Sequence, residues 1–248
     1  MCFLALVYKT IPDYPVVIAA NRDEYRNRPG TAPTEIRPGV VAGLDPRAGG
    51  TWVGVNSHGV VVGVSNLRSG GPALPNTRSR GLLCLDLLML PRASALAQAV
   101  RAQVRQHVYN GFNLLAAGPQ TAWVASYLDK RLTVRQLDPG VHIIGNSLPD
   151  AGDDPKVARG RQLVDRPDDI EAAMKTLTKT CADHGMRGDG TDAICVHGEG
   201  HGTLSSSIIA VHGSDPSRSI HLYAEGNPCA AAYQDVSLLM RPHRGDEA

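Results

Sequence analysis

Met1-Cys2-Phe3-Leu4-Ala5-Leu6-Val7-Tyr8 and, after a turn within residues 9–15, Val16-Val17-Ile18-Ala19-Ala20-Asn21-Arg22-Asp23-Glu24 decide how this chain folds. Both apolar runs are short and rich in Val, Ile and Leu, which predicts an antiparallel hairpin. Such a hairpin, residues 4–7 against 16–18, returns the chain beside its own start and sets residues 21–24 near Cys2. Met1 precedes a small residue and is expected to be removed, so that Cys2 carries both a thiol and a free amine. The amine titrates near ~8 and the thiol near ~8.5, close enough to exchange a proton as nucleophile and base. Arg22 is a candidate cation for the thiolate. The alternative is a Cys that follows Met by chance and a hairpin that ends in solvated charges.

Composition narrows the field. A chain of 248 residues can bury a substantial core, and no Pro/Ser-rich linker or charge block divides it, so one domain spanning 1–248 is expected. Twenty-five Lys plus Arg against twenty-four Asp plus Glu leave a net charge of +1, which argues against electrostatic binding to nucleic acid or to an anionic membrane. Aromatics at 4% argue against base-stacking surfaces. No apolar run approaches the roughly 18–20 residues of a spanning helix, and the start lacks a basic segment followed by a cleavage site. The five cysteines include no C-x-x-C pair, which suits free thiols in a reducing cytoplasm.

Strand signals dominate, at residues 3–8, 16–20, 51–55, 60–64, 113–117, 121–126, 132–136, 142–144, 203–211 and 219–223. The run Asn56-Ser57-His58-Gly59 reads as the turn of a hairpin. Helices are predicted at 82–90, from Ser94 as cap to 106, at 157–164, and at 168–181 with Asp168 as cap. Many strands with few, grouped helices predict a layered α+β sandwich.

Further motifs accompany the opening stretch: Gly49-Gly50-Thr51-Trp52-Val53-Gly54-Val55-Asn56, Ser65-Asn66, Arg78-Ser79-Arg80-Gly81, Tyr109-Asn110-Gly111-Phe112-Asn113, Gly145-Asn146-Ser147, and Gly202-Thr203 before Ser205-Ser206-Ser207. With Cys2 and Asn21-Arg22-Asp23-Glu24, this ordered set resembles the family named for its Asn-Arg-Asp-Glu motif, the transport and Golgi organisation protein 2 family. That family in turn resembles the cysteine branch of the N-terminal-nucleophile hydrolases, which includes bile-salt hydrolase and penicillin V acylase. The resemblance implies a four-layer αββα sandwich.

It also implies site residues. Cys2 would attack a carbonyl, Asp23 would orient the α-amine, and Asn66 and Asn146 would stabilise an oxyanion, because asparagine donates without titrating. The alternatives are an exposed turn Asp at 23 and strand-ending Asn residues at 66 and 146. Two positions depart from the hydrolase pattern, with Ala20 and Leu204 where arginines are expected, and Leu204 predicts an apolar wall. The function implied is a cysteine amidohydrolase for a small amide or acyl substrate that needs no cofactor. Family members linked to haem trafficking and to lipid or acyl-coenzyme A metabolism imply the alternative, a carrier of haem or acyl-coenzyme A. No metal site is expected, since the glycines around His197 and His201 argue for a loop and no H-E-x-x-H occurs. Cys195 and Cys229 read as buried or loop thiols.

Overall fold

The computed structural model describes residues 2–68 and 70–241, with residue 2 described through its backbone alone. The expected removal of Met1 and the chemistry of the Cys2 side chain therefore fall outside the described residues.

The opening hairpin forms as its sequence dictates. β1 (Cys2–Ile11) and β2 (Tyr14–Tyr25) pair antiparallel, with Leu4 opposite Ala20 and Cys2 opposite Arg22. The turn between them uses Asp13 at φ 65°, a left-handed conformation that Asp tolerates. β2 runs five residues past the predicted end, so that Asn21-Arg22-Asp23-Glu24 lies within the strand.

The chain continues through β3 (Thr34–Arg37), β4 (Val40–Ala42), β5 (Val53–Asn56), β6 (Val61–Asn66), α1 (Arg80–Leu87) and α2 (Leu96–Gln106). There follow β7 (Phe112–Ala117), β8 (Ala122–Leu128), β9 (Arg131–Leu137), β10 (Gly140–Ile144), α3 (Pro155–Leu163), α4 (Ile170–Cys181), β11 (His201–Val211), β12 (Ile220–Glu225) and β13 (Gln234–Asp235). β3 to β9 form one sheet as a sequential meander, whereas the other sheet has the order β10-β1-β2-β11-β12-β13 and joins the first two strands to the last four.

Alternation along the strands separates three apolar layers. Leu4, Leu6, Val16, Ile18 and Ala20 pack against Val53, Val55, Val61 and Leu115 between the two sheets. Phe3, Ala5, Val17 and Ala19 face Val157 of α3 and Ala173, Leu177 and Cys181 of α4. Leu83, Leu87, Leu96 and Val100 of α1 and α2 cover the outer face of the meander at Val60, Val62 and Leu114. The sandwich is α3/α4, sheet, sheet, α1/α2, as expected. At Gly63 the sheets come close, since a Cβ there would lie 3.2 Å from the Leu4 side chain.

Some local expectations are corrected. Asp169, not Asp168, caps α4 by accepting from the Ala172 amide at 2.8 Å. Ser94 sits inside a 3₁₀ turn, Ala93–Ala95, and caps nothing. β3, β4 and β13 escaped the sequence reading because runs of two to four residues carry almost no periodicity. Among the described residues, no helix is long and apolar enough to cross a membrane.

Candidate functional site

The period of two splits the Asn-Arg-Asp-Glu motif between the faces of β2. Asn21 and Asp23 face α3 and α4, and both are buried. The Asn21 amide donates to the carbonyls of Cys181 and Ile194 at 2.9 and 3.1 Å. Asp23 Oδ1 accepts from the Thr203 hydroxyl at 2.7 Å, and Oδ2 lies 3.2 Å from the Lys156 ammonium of α3. With Asp23 at 1% exposure in mid-strand, the exposed-turn alternative is overturned, and so is a hairpin ending in solvated charges.

Arg22 continues the row of Val16, Ile18 and Ala20 toward the other sheet. Its guanidinium stacks on Trp52, 4.6 Å from the ring centroid, and Nη1 donates to the Arg28 carbonyl at 2.9 Å. Nη2 is 3.9 Å from Asp45 Oδ2 and, though buried, makes no hydrogen bond among the described residues. Ala20 and Arg22 share a face, and Arg22 is the residue in register with Cys2.

Arg22 lines a cleft of about 230 Å³ together with Trp52, Asn66, Arg78, Arg80 and Asn110. The walls are polar. Arg28 is bound to Asp45 at 2.7 Å, Arg78 to Asp86 at 2.8 Å, and Arg80 donates to the Gly111 carbonyl at 2.9 Å. A Cβ on Gly50 would overlap the backbone of Gly81 and Leu82, so the Gly-Gly-Thr-Trp motif lets the start of α1 close one side. Asn56, which ends that motif, holds the β5–β6 turn and donates to Leu88 and Leu90 beyond α1. Its role is structural.

Asn66, the last residue of β6, lines the cleft. Asn146 follows β10 and stands behind Asn66: its amide donates to the Asn66 carbonyl at 2.8 Å, and its own carbonyl accepts from the Arg68 amide at 3.0 Å. The two asparagines predicted to act alike are thus adjacent, with one at the cleft and one bracing it. Leu204 is the extra residue where the β11–β2 register shifts between Thr203 and Ser205. It does not line the cleft, so the expected apolar wall is replaced by arginines and acids.

Asp150 secures the loop that carries Asn146. It binds His142 Nδ1 and Arg135 at 2.9 Å, Arg161 at 3.0 Å and the Ile143 amide at 2.9 Å. Burial alone would raise its pKa, but the hydrogen bonds from His142, Arg135 and Ile143 outweigh it and bring the carboxyl to about 2. For His142 burial acts downward, and the bonds to Asp150 and the Asp138 carbonyl reverse it, so its pKa is raised. The Asp150 contribution is present above its ordinary value of 3.8 and is lost as pH falls toward about 2. The His142 contribution is complete below its ordinary value of 6.5 and fades as pH rises above it. We expect Asp150→Asn to lower stability by about 2 kcal/mol, from a shift of nearly two pKa units, with the largest deficit in weakly acidic buffer. Melting curves of both proteins against pH check this; a constant difference from acid to neutral pH would contradict it.

The sequence reading missed Lys156, Thr203 and Trp52 as site residues. Thr203 and Trp52 stood in quoted motifs, but Lys156 had no local signal, because only the packing of α3 across its sheet, against β10, brings it to Asp23. His201 lies edge-on to Tyr25. His197 instead gathers with His184, Cys195 and Cys229, their ligand atoms within 4.8 Å of one another. The expectation of no metal centre rested on linear spacing, which cannot report such a cluster.

Comparison with known proteins agrees with this architecture. The family model described as Transport and Golgi organisation 2 matches residues 1–221. A Transport and Golgi organization protein 2 homolog of Homo sapiens is 29% identical over 233 residues, covering 80% of this chain and 82% of that protein. The Bos taurus homolog is 27% identical, covering 83% and 90%. Among solved structures, the Caenorhabditis elegans N-acylethanolamine-hydrolyzing acid amidase ortholog superposes with a TM-score of 0.55 at 16% identity, covering 84% of this chain and 92% of that one. Penicillin V acylase from Agrobacterium tumefaciens gives 0.54 at 11% identity, covering 96% and 86%. These likenesses establish the N-terminal-nucleophile hydrolase fold, and the match over residues 1–221 shows that the chain belongs to the Transport and Golgi organisation 2 family.

Proposed function

We propose that the protein is a cysteine N-terminal-nucleophile amidohydrolase for small substrates bearing a polar or anionic group. The observation that carries the reading is the buried Arg22 Nη2, which has no hydrogen bond among the described residues, on a residue that lines the cleft and pairs with Cys2. An unspent guanidinium donor there favours a thiolate at position 2. Burial pushes the Cys181 thiol up to about 11, so that competitor stays protonated at neutral pH.

In the proposed reaction the Cys2 sulfur attacks the amide carbonyl while the α-amine takes the thiol proton. The amine returns that proton to the leaving nitrogen as the carbon-nitrogen bond breaks, and water then hydrolyses the thioester. Asn66 donates to the oxyanion from the cleft wall, with Asn146 bracing it. Asp23 lies one position past Arg22, the residue paired with Cys2, and would hold the α-ammonium of a chain that begins at Cys2. Lys156 and Thr203 fix its carboxylate. Four arginines and three acids, Asp23, Glu24 and Asp45, around about 230 Å³ favour a short acyl group or amine with a polar or acidic substituent. The fold neighbours named acid amidase and penicillin V acylase support the reaction class by analogy. A nucleophilic thiol that must stay reduced suits the reducing cytoplasm.

The test is incubation of Met1-free protein with acyl thioesters and activated esters, followed by peptide mapping. An acyl group on Cys2 is expected, in preference to Cys84, Cys181, Cys195 or Cys229. No adduct and no hydrolysis across N-acyl amides, with haem or acyl-coenzyme A bound equally by wild type and Cys2→Ala, would overturn the hydrolase reading for the carrier one.

A further inference from the structure

On the α3/α4 side of the sheet that contains β1 and β2, two histidines and two cysteines from three separate segments converge. Cys195 and His197 lie on the first arm of a tight hairpin, in which His197 bridges Gly202 and the Gly198 amide donates to the His201 carbonyl at 2.9 Å. His184 follows α4, and the preceding carbonyl, of Asp183, accepts from both the Ile194 and Cys195 amides at 3.0 and 2.7 Å. Cys229 sits in the turn after β12, where Asn227 accepts backbone bonds from Ala230 and Ala231 and donates through its side chain to the Thr203 carbonyl at 2.9 Å.

The distances have the signature of a coordination shell. His197 Nε2 is 3.2 Å from His184 Nε2, 3.5 Å from Cys195 Sγ and 3.2 Å from Cys229 Sγ. Zinc binds nitrogen at about 2.0–2.1 Å and sulfur at about 2.3 Å, so a tetrahedral site has nitrogen–nitrogen edges of about 3.3 Å and nitrogen–sulfur edges of about 3.5 Å. Hydrogen bonding does not account for the arrangement, because one imidazole nitrogen offers either one proton or one lone pair and here meets three partners. A cation at the centre satisfies all four groups at once.

We propose that His184, Cys195, His197 and Cys229 bind one zinc ion in a closed, tetrahedral, structural site. The four ligands fill the coordination sphere and leave no open position for a substrate, which separates this site from the chemistry at Cys2. The ligand set of two thiolates and two imidazoles selects zinc over the harder magnesium and calcium. Arg159 supports the His184 segment through a bidentate pair with Asp183 at 2.8 and 2.9 Å. The tie reaches Asp23: the Val196 amide, between two ligands, donates to Thr203 Oγ1 at 2.9 Å, and that hydroxyl donates to Asp23. Zinc therefore staples three loops to the buried carboxylate.

Elemental analysis of the full chain, purified under reducing conditions without an affinity metal, is expected to find one zinc per chain. Chelated, reduced wild type titrated with cobalt(II) should show the intense visible bands of a tetrahedral thiolate site, saturating at one equivalent and displaced by zinc. Cys229→Ser and His184→Ala, both at exposed positions, should lose the metal and melt at a lower temperature while keeping their circular dichroism. Octahedral cobalt spectra, full zinc content in both variants, or peptide mapping of a Cys195–Cys229 disulfide in metal-free native protein would overturn the proposal. None of these readouts depends on acylation of Cys2, so the site and the hydrolase reading fail or stand separately.

Discussion

Cys2→Ala is expected to abolish acyl transfer while leaving the melting temperature close to that of wild type. The strand that begins at Cys2 is held by backbone pairing to β2 and β10, which a change of side chain at its first residue leaves intact. The chemistry has no such redundancy. Loss of the nucleophile in a hydrolase that forms a covalent intermediate costs on the order of 10⁶-fold in kcat, whereas loss of one oxyanion donor costs about 10²- to 10³-fold. Asn66→Ala should therefore fall between wild type and Cys2→Ala and should reduce kcat more than it raises KM, because an oxyanion donor acts on the transition state. Steady-state rates on a carboxylated N-acyl amide, beside melting curves, separate the cases. Equal activity in wild type and Cys2→Ala would remove Cys2 from the mechanism.

Asp23→Asn is expected to destabilise the protein strongly. The carboxylate is buried against the Lys156 ammonium, itself 8% exposed, and the isosteric amide keeps the shape but strands that charge. Breaking a buried ion pair from one side costs about 3–5 kcal/mol, which in a domain of this size lowers the melting temperature by roughly 10 °C. The reading makes a second demand: Lys156→Met in the Asp23→Asn background should recover a large part of the loss, since it removes the stranded charge. If Asp23→Asn melts within about 1 °C of wild type, the pair with Lys156 contributes nothing. If Lys156→Met fails to rescue, the loss comes through the Thr203 bond instead.

The sequence by itself determined the outer logic of this molecule. Period-two runs and the turn at Asn56 specified most strands, the apolar content of β1 and β2 specified an antiparallel strand pair, and the motifs marked which ends of those strands matter. That much is local, because alternation, turn chemistry and capping each need only a few neighbouring residues. Which face of β2 carried which member of the Asn-Arg-Asp-Glu motif depended on where the strand ended. Once it ran on to Tyr25, Arg22 fell to the cleft with Trp52, and Asp23 to the helices with Lys156. The division of labour between Asn66 and Asn146, the removal of Leu204 from the wall by a register shift, and the meeting of His184, Cys195, His197 and Cys229 were decided by tertiary structure alone. Each depends on segments that packing of the layers brings together, and no spacing along the chain encodes a distance that packing creates.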